Sequence, residues 1–183
     1  GMMLLLILGL ALWVGVHFWK RIAPGHRASF GEKGKMIVAI GSALAIVLMV
    51  VGYRGWDGTV YWGRSPAMTG INNLLMVLAF YVFATSAAKT KLTAYIRHPQ
   101  LTAVMIWAFA HLLVNGDAPS FVLFGGLFAW AAAEVVVLNR ANGPRGPYHV
   151  VPVKKEITAV IVTVVVVAVV SAIHAALGYN PFG

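Results

Sequence analysis

The chain has 183 residues, of which 60% are hydrophobic and 10% charged, with a formal net charge of +9. That balance excludes an ordinary soluble domain and makes the bilayer the solvent. There is no cysteine, so disulfides, thiolate chemistry and a cysteine-ligated metal are excluded as well.

Crossing about 30 Å of hydrocarbon takes about 17 to 25 apolar residues in a helix, because lipid offers no partner for a bare backbone group. Six such segments are predicted, at residues 2–19, 36–53, 71–88, 99–114, 120–138 and 157–177. Gly1, ahead of Met2 and Met3, is read as a residue left by tag cleavage. The first segment is followed, not preceded, by its basic cluster, the reverse of a cleavable signal peptide, so it is expected to be retained. The third carries Asn72 and Asn73 near its start, and the fourth is the shortest. The sixth is rich in valine and would read as a strand in water, but more than eighteen consecutive apolar residues override that propensity. Residues 139–156, with their glycines and prolines, read as an irregular loop. The expected fold is all-α, a polytopic transmembrane helical bundle forming a single domain over residues 1–183.

Short cytoplasmic loops collect Lys and Arg. Of the 14 basic residues, 12 fall between segments one and two, three and four, or five and six, and only Arg54 and Arg64 fall elsewhere. Both termini are therefore expected on the outer, periplasmic side. The same placement explains the charge as a topology signal and an attraction to anionic headgroups, leaving no reason to invoke nucleic acid. The lipid bilayer is the partner that this charge implies.

Polar side chains inside a membrane are costly and so mark functional candidates. Four stand out: His17, His111, Glu134 and His174. Near an interface, His174 reads as a neutral histidine held in the bundle by one bond to a backbone carbonyl or a Ser/Thr hydroxyl. Glu134 reads as the partner of Arg97 or Arg140, while His26 and His149 fall in solvated loops. His17 and His111 invite two readings. Neutral imidazoles from two helices either fill both axial positions of a haem iron or act as interhelical struts. Trp13, Gly15, Phe18, Trp107, Ala108 and Ala110 would give a flat macrocycle room and contact. Arg97 and His98, just ahead of Pro99, anchor the start of the fourth helix, whose N-terminus is also a ready anion site.

Three stretches in order, GVHFWKRIAPGHRASFGEKG at 15–34, IRHPQL at 96–101 and WAFAHLLVNGD at 107–117, resemble the NnrU family of bacterial membrane proteins over almost the whole chain. The resemblance implies an inner-membrane protein acting in or beside nitric oxide and nitrite metabolism in denitrification, with a nitric oxide or nitrite reductase system as its partner. The family is similar to the cis-zeta-carotene isomerase, which depends on haem b held by histidines. Carried across, those ligands fall on His17 and His111, with Arg21, Arg27 and Arg97 to meet the propionates and His98 and Trp107 beside the cofactor. The isomerase's important cysteine is replaced here by Ala108, which argues against polyene isomerisation. By rise along the helix, His111 lies about 18 Å from Pro99 but His17 only about 5 Å from Lys20, a mismatch in depth for two ligands of one haem.

RHP at a helix start and a later PYHVVP are also similar to the isoprenylcysteine carboxyl methyltransferase group. That resemblance implies an S-adenosylmethionine site built on Arg97, His98, Glu134 and Tyr148. The run of glutamates that those enzymes carry is replaced by VVVLNRANGPRG. A third reading is a non-catalytic assembly partner of a nitrogen-oxide reductase.

Overall fold

The structure is a computed structural model that describes residues 1–88, with side chains to 86, and residues 90–146, 151–178 and 182. In chain order it holds α1 (Met2–Ile22), α2 (Pro24–Ser29), α3 (Glu32–Gly55), β1 (Val60–Trp62) and α4 (Pro66–Ala88). A 3-10 turn (Lys91–Ala94), α5 (Pro99–Val114), β2 (Gly116–Asp117), α6 (Ala118–Asn142) and α7 (Val153–Ala176) follow. Five helices, α1, α3, α4, α6 and α7, are long and apolar enough to cross a membrane, and α5 is a shorter apolar helix. The chain is an all-helical, multi-pass membrane protein. Its large apolar side chains face outward: Leu74 is 74% exposed and Val164 62%, which in lipid is the ordinary outer face of a bundle.

Helix boundaries reach beyond the apolar windows because polar residues continue a helix once it has formed. Thus α3 starts at Glu32, α4 at Pro66 and α7 at Val153, while α6 runs on to Asn142 before Gly143, at φ 67, ends it. Two elements fall in stretches read as loops: α2, with Pro24 in its first turn, and the antiparallel β1–β2 ribbon.

The closest approach is between α1 and α3. A Cβ added at Gly9 would lie 2.8 Å from the Met49 nitrogen and 2.9 Å from the Ala45 carbonyl oxygen. One added at Gly52 would strike the backbone of Leu6 and Met2. Small residues let membrane helices meet at backbone distance, where van der Waals contact replaces the hydrophobic drive that lipid removes. Against this pair lies α6, and Leu6, Ala45, Met49, Leu127, Trp130 and Ala131 form the core where the three meet. On the other side of α6 comes α5, then α4, then α7.

The contacts fix direction. Leu6 faces Gly52 and Val16 faces Gly41, so α1 and α3 are antiparallel; His98 meets Asn139 and His111 meets Phe124, so α5 and α6 are antiparallel too. Lys20, Arg21, Lys33, Arg97, Arg140 and Lys154 consequently gather at one end of the bundle, the basic end, and Arg54 and Arg64 at the far end. Each end is tied by polar bonds. At the far end Trp62 Nε1–H donates to the Leu112 carbonyl at 2.8 Å, and Asp117 caps α6 by accepting the Ser120 N–H at 2.9 Å. At the basic end Glu156 accepts the Lys91 N–H at 2.7 Å, and His98 Nε2–H donates to Asn139 Oδ1 at 2.8 Å.

Gly52→Ala should lower stability by about 1 to 3 kcal/mol, since backbone atoms must move to admit the methyl group. Gly15→Ala, with no atom within 4 Å of the added carbon, should be neutral or stabilising by up to about 1 kcal/mol. Thermal unfolding in detergent, followed by circular dichroism, distinguishes them; equal effects would mean that the α1–α3 contact is not the tight one.

Candidate functional site: two stacked cavities on the α5–α6 seam

Two stripes with helical spacing form a common wall. On α5 they are Gln100, Val104, Trp107, His111 and Val114; on α6, Leu123, Leu127, Trp130, Glu134 and Leu138. Two cavities stack along it. The larger, about 940 Å³, occupies the far half, with α3 and α7 on either side; the smaller, about 730 Å³, occupies the basic half, flanked by α1 and α4. Both fall in the size range of sites for small molecules and cofactors.

The larger cavity is mostly apolar but receives two imidazoles, His111 from α5 and His174 from α7. His111 stacks on Phe124 with ring centres 4.9 Å apart, and its Nδ1–H donates to the Trp107 carbonyl at 2.8 Å. His174 makes the same bond to the Val170 carbonyl, also at 2.8 Å. Each bond fixes the tautomer and leaves Nε2 as a lone-pair donor. Arg64 and His174 lie within electrostatic reach of His111, and Arg54 lines the same cavity. On the α4 wall Asn72 is 6% exposed and its Oδ1 has no partner among the described residues. On the α3 wall the Tyr53 hydroxyl bonds that of Ser120 at 2.9 Å.

The smaller cavity is aromatic on its inner wall and basic at its mouth. His17 stacks on Trp13 at 4.1 Å, meets the edge of Trp130 at 5.2 Å and donates Nδ1–H to the Trp13 carbonyl at 2.8 Å. Arg97, His98 and Arg145 line the opening. Three buried polar atoms here have no partner among the described residues: Trp13 Nε1, Trp130 Nε1 and Glu134 Oε2. A further cation, Arg21, acts on Glu134 electrostatically.

The chain matches the family described as NnrU protein over residues 5–181. It belongs to the NnrU family. No curated protein and no solved structure matches it.

In this NnrU family member the residues expected at one site divide between two. The larger cavity takes His111 and Trp107, and the smaller takes His17, Arg97 and His98. His17 touches α6 at Trp130 and His111 touches it at Phe124, six residues or about 9 Å along the axis. Two axial nitrogens on one metal, with bonds of about 2 Å each, stand only about 4 Å apart. The structure therefore does not bring His17 and His111 together. Neither Arg21 nor Arg27 lines either cavity, and Arg27 sits over the face of Trp19, 5.5 Å from the ring centre. Glu134 forms no ion pair with Arg97 or Arg140 among the described residues. His26 accepts the Trp19 Nε1–H at 2.8 Å, whereas Tyr148 and His149 lie outside the described residues. His174, read from sequence as held by one hydrogen bond, has that bond, to the Val170 carbonyl; what the reading did not give is its place in the cavity of His111. The available signal was its position two residues before the end of α7, matching His111 three before the end of the parallel α5.

Tyr53→Phe and Ser120→Ala should each destabilise, and the double variant should lose less than the sum, with a coupling of about 1 kcal/mol. Detergent unfolding of the four proteins measures it, and additive losses would show that the hydroxyl pair does not hold the α3 wall to α6.

Proposed function

We propose that this NnrU family member spans the bacterial inner membrane six times with both termini outside, and binds one haem b in its larger cavity through His111 and His174. The observation that carries the haem reading is that two imidazoles, on parallel helices, line one mostly apolar cavity with both Nδ1 atoms already committed to backbone carbonyls. Among the described residues no three His, Asp or Glu side chains cluster, so a bare metal ion has no multidentate site. A haem brings its own four nitrogens and needs only one or two ligands from the protein. Arg54 and Arg64 stand where the propionates of a macrocycle in this cavity would be met, as charge-assisted donors.

When bound, the group supplies an iron that accepts one electron or a diatomic ligand. The protein's part is to hold both imidazoles in one tautomer, exclude water with Trp107, Phe124 and Leu127, and neutralise carboxylates with arginine. Held by His111 and His174 together, such a group would be suited to electron transfer or ligand exchange rather than to open-site catalysis. A role in nitric oxide and nitrite metabolism, beside a nitric oxide or nitrite reductase system, is supported by the family resemblance. The orientation is supported by the gathering of basic residues at one end, which the positive-inside rule assigns to the cytoplasm.

The test is the absorption spectrum of protein purified after expression with added haem. Wild type and His17→Ala should show the same Soret and reduced α and β bands, while His111→Ala and His174→Ala should each lose or shift them. A colourless haem-supplied protein, or a spectrum altered by His17→Ala and not by His174→Ala, contradicts this reading.

A further inference from the structure

The smaller cavity has no part in the haem reading, yet three of the five buried side-chain polar atoms without a partner among the described residues belong to its lining. Trp130 is only 6% exposed and lines the cavity, and its Nε1–H has no partner among the described residues. Trp13 Nε1 and Glu134 Oε2 share that condition. A buried donor or acceptor left without a bond costs about 1 to 3 kcal/mol and a carboxylate more, so Glu134, whose side chain lines the cavity, is the group that a cationic partner would relieve most. Their chemistry is specific. The two indoles can only donate; the Glu134 carboxylate, when ionised, can only accept, which calls for a hydroxyl or ammonium on whatever meets it.

The mouth is of opposite character. Arg97 and Arg145 stand at the opening beside the N-terminus of the sixteen-residue helix α5, where the first backbone N–H groups have no partner within the helix. Arg145 already donates one N–H to the Ala94 carbonyl at 3.1 Å, which holds it in place and leaves its other donors. The level of the mouth is marked by Asn139, bonded to His98, and Glu134 lies five residues deeper on α6, about 7.5 Å. Between them the wall is apolar: Leu101, Val104 and Leu138.

We propose that this second cavity binds a zwitterion, with its phosphate or carboxylate held at the mouth by Arg97, Arg145 and the start of α5, and its ammonium group against Glu134, roofed by Trp13 and Trp130. The lining reaches the basic end at Arg97, His98 and Arg145, within reach of soluble molecules, and includes Phe83 of α4, which is 51% exposed. The same chemistry is thus available from a free phospho-amine or from the headgroup of phosphatidylethanolamine.

Both sources are tested on the full detergent-purified chain. Soluble O-phosphoethanolamine is titrated against glycerol 3-phosphate, which lacks the amine, with tryptophan fluorescence as the readout. Phosphatidylethanolamine is then compared with phosphatidylglycerol by native mass spectrometry. The proposal predicts at least about tenfold preference for the amine in one of the two pairs. Glu134→Gln should abolish the preference, and Arg97→Gln should weaken both members of the pair alike. Preference in the soluble pair assigns the site to a free molecule, and preference in the lipid pair alone assigns it to the membrane; either upholds the zwitterion. Equal binding with and without the amine overturns it, as does a preference that survives Glu134→Gln in protein of unchanged helicity. Should Glu134→Gln fail to fold, Arg97→Gln must still weaken both members of the preferred pair alike, and unchanged affinity there overturns the proposal equally.

Discussion

A helix too short to cross alone sets the plan of this bundle. With sixteen residues α5 is about 24 Å long, less than the hydrocarbon thickness of about 30 Å, and lipid leaves no bare backbone group unpunished. It is placed where protein surrounds its ends. At the basic end His98 is bonded to Asn139 of α6, and at the far end the β1–β2 ribbon and the Trp62 bond to Leu112 close over its last turn. Packing between α4 and α6 buries Ala103, Ala108 and Ala110 against the neighbours and leaves the stripe from Gln100 to Val114 facing inward. Because that stripe meets a matching one on α6, the short helix becomes the back wall of both cavities.

The flanking helices then decide what each half of the wall can do. In the far half α3 and α7 bring apolar surface, Arg54 and a second imidazole, and the segment ahead of α4 brings Arg64, so the space suits a large, flat, mostly apolar group with acidic edges. In the basic half α1 brings Trp13 and His17 and the loop ahead of α5 brings Arg97, so the space suits something smaller and charged at both ends. His17, His111 and the exposed His174 use one device, a bond from Nδ1–H to the carbonyl four residues back, and differ in the cavity that they line. Identical local chemistry thus serves different sites because helix direction and depth differ.

Much of this was legible beforehand. Long apolar runs are an almost unmistakable signal in a chain of this composition, and all five long helices and the shorter α5 sit where hydropathy puts them. His17 and His111 were also legible one at a time, since an imidazole in an apolar run is conspicuous. Their partners were not. Spacing along a helix says how deep a residue lies but not which neighbour it faces, and that neighbour depends on α5 being wedged between α4 and α6. His174 looked interfacial because it lies close to the end of α7; yet His111 lies as close to the end of α5, and nearness to an end is what the two have in common. The ribbon and α2 escaped notice because three or six residues carry too little periodicity to read. The unmet indoles of Trp13 and Trp130 leave no trace in sequence, since a missing bond is a property of packing alone.

The division of the α5–α6 wall into two separate sites is tested most directly by the iron anomalous difference map of crystals grown from haem-loaded protein. A single strong peak is expected in the far cavity, within bonding distance of His111 Nε2, with His17 remote from it and its own cavity free of iron. A peak beside His17 and Trp130, or one shared by His17 and His111, would contradict the separation of the two cavities and with it the pairing of His111 and His174.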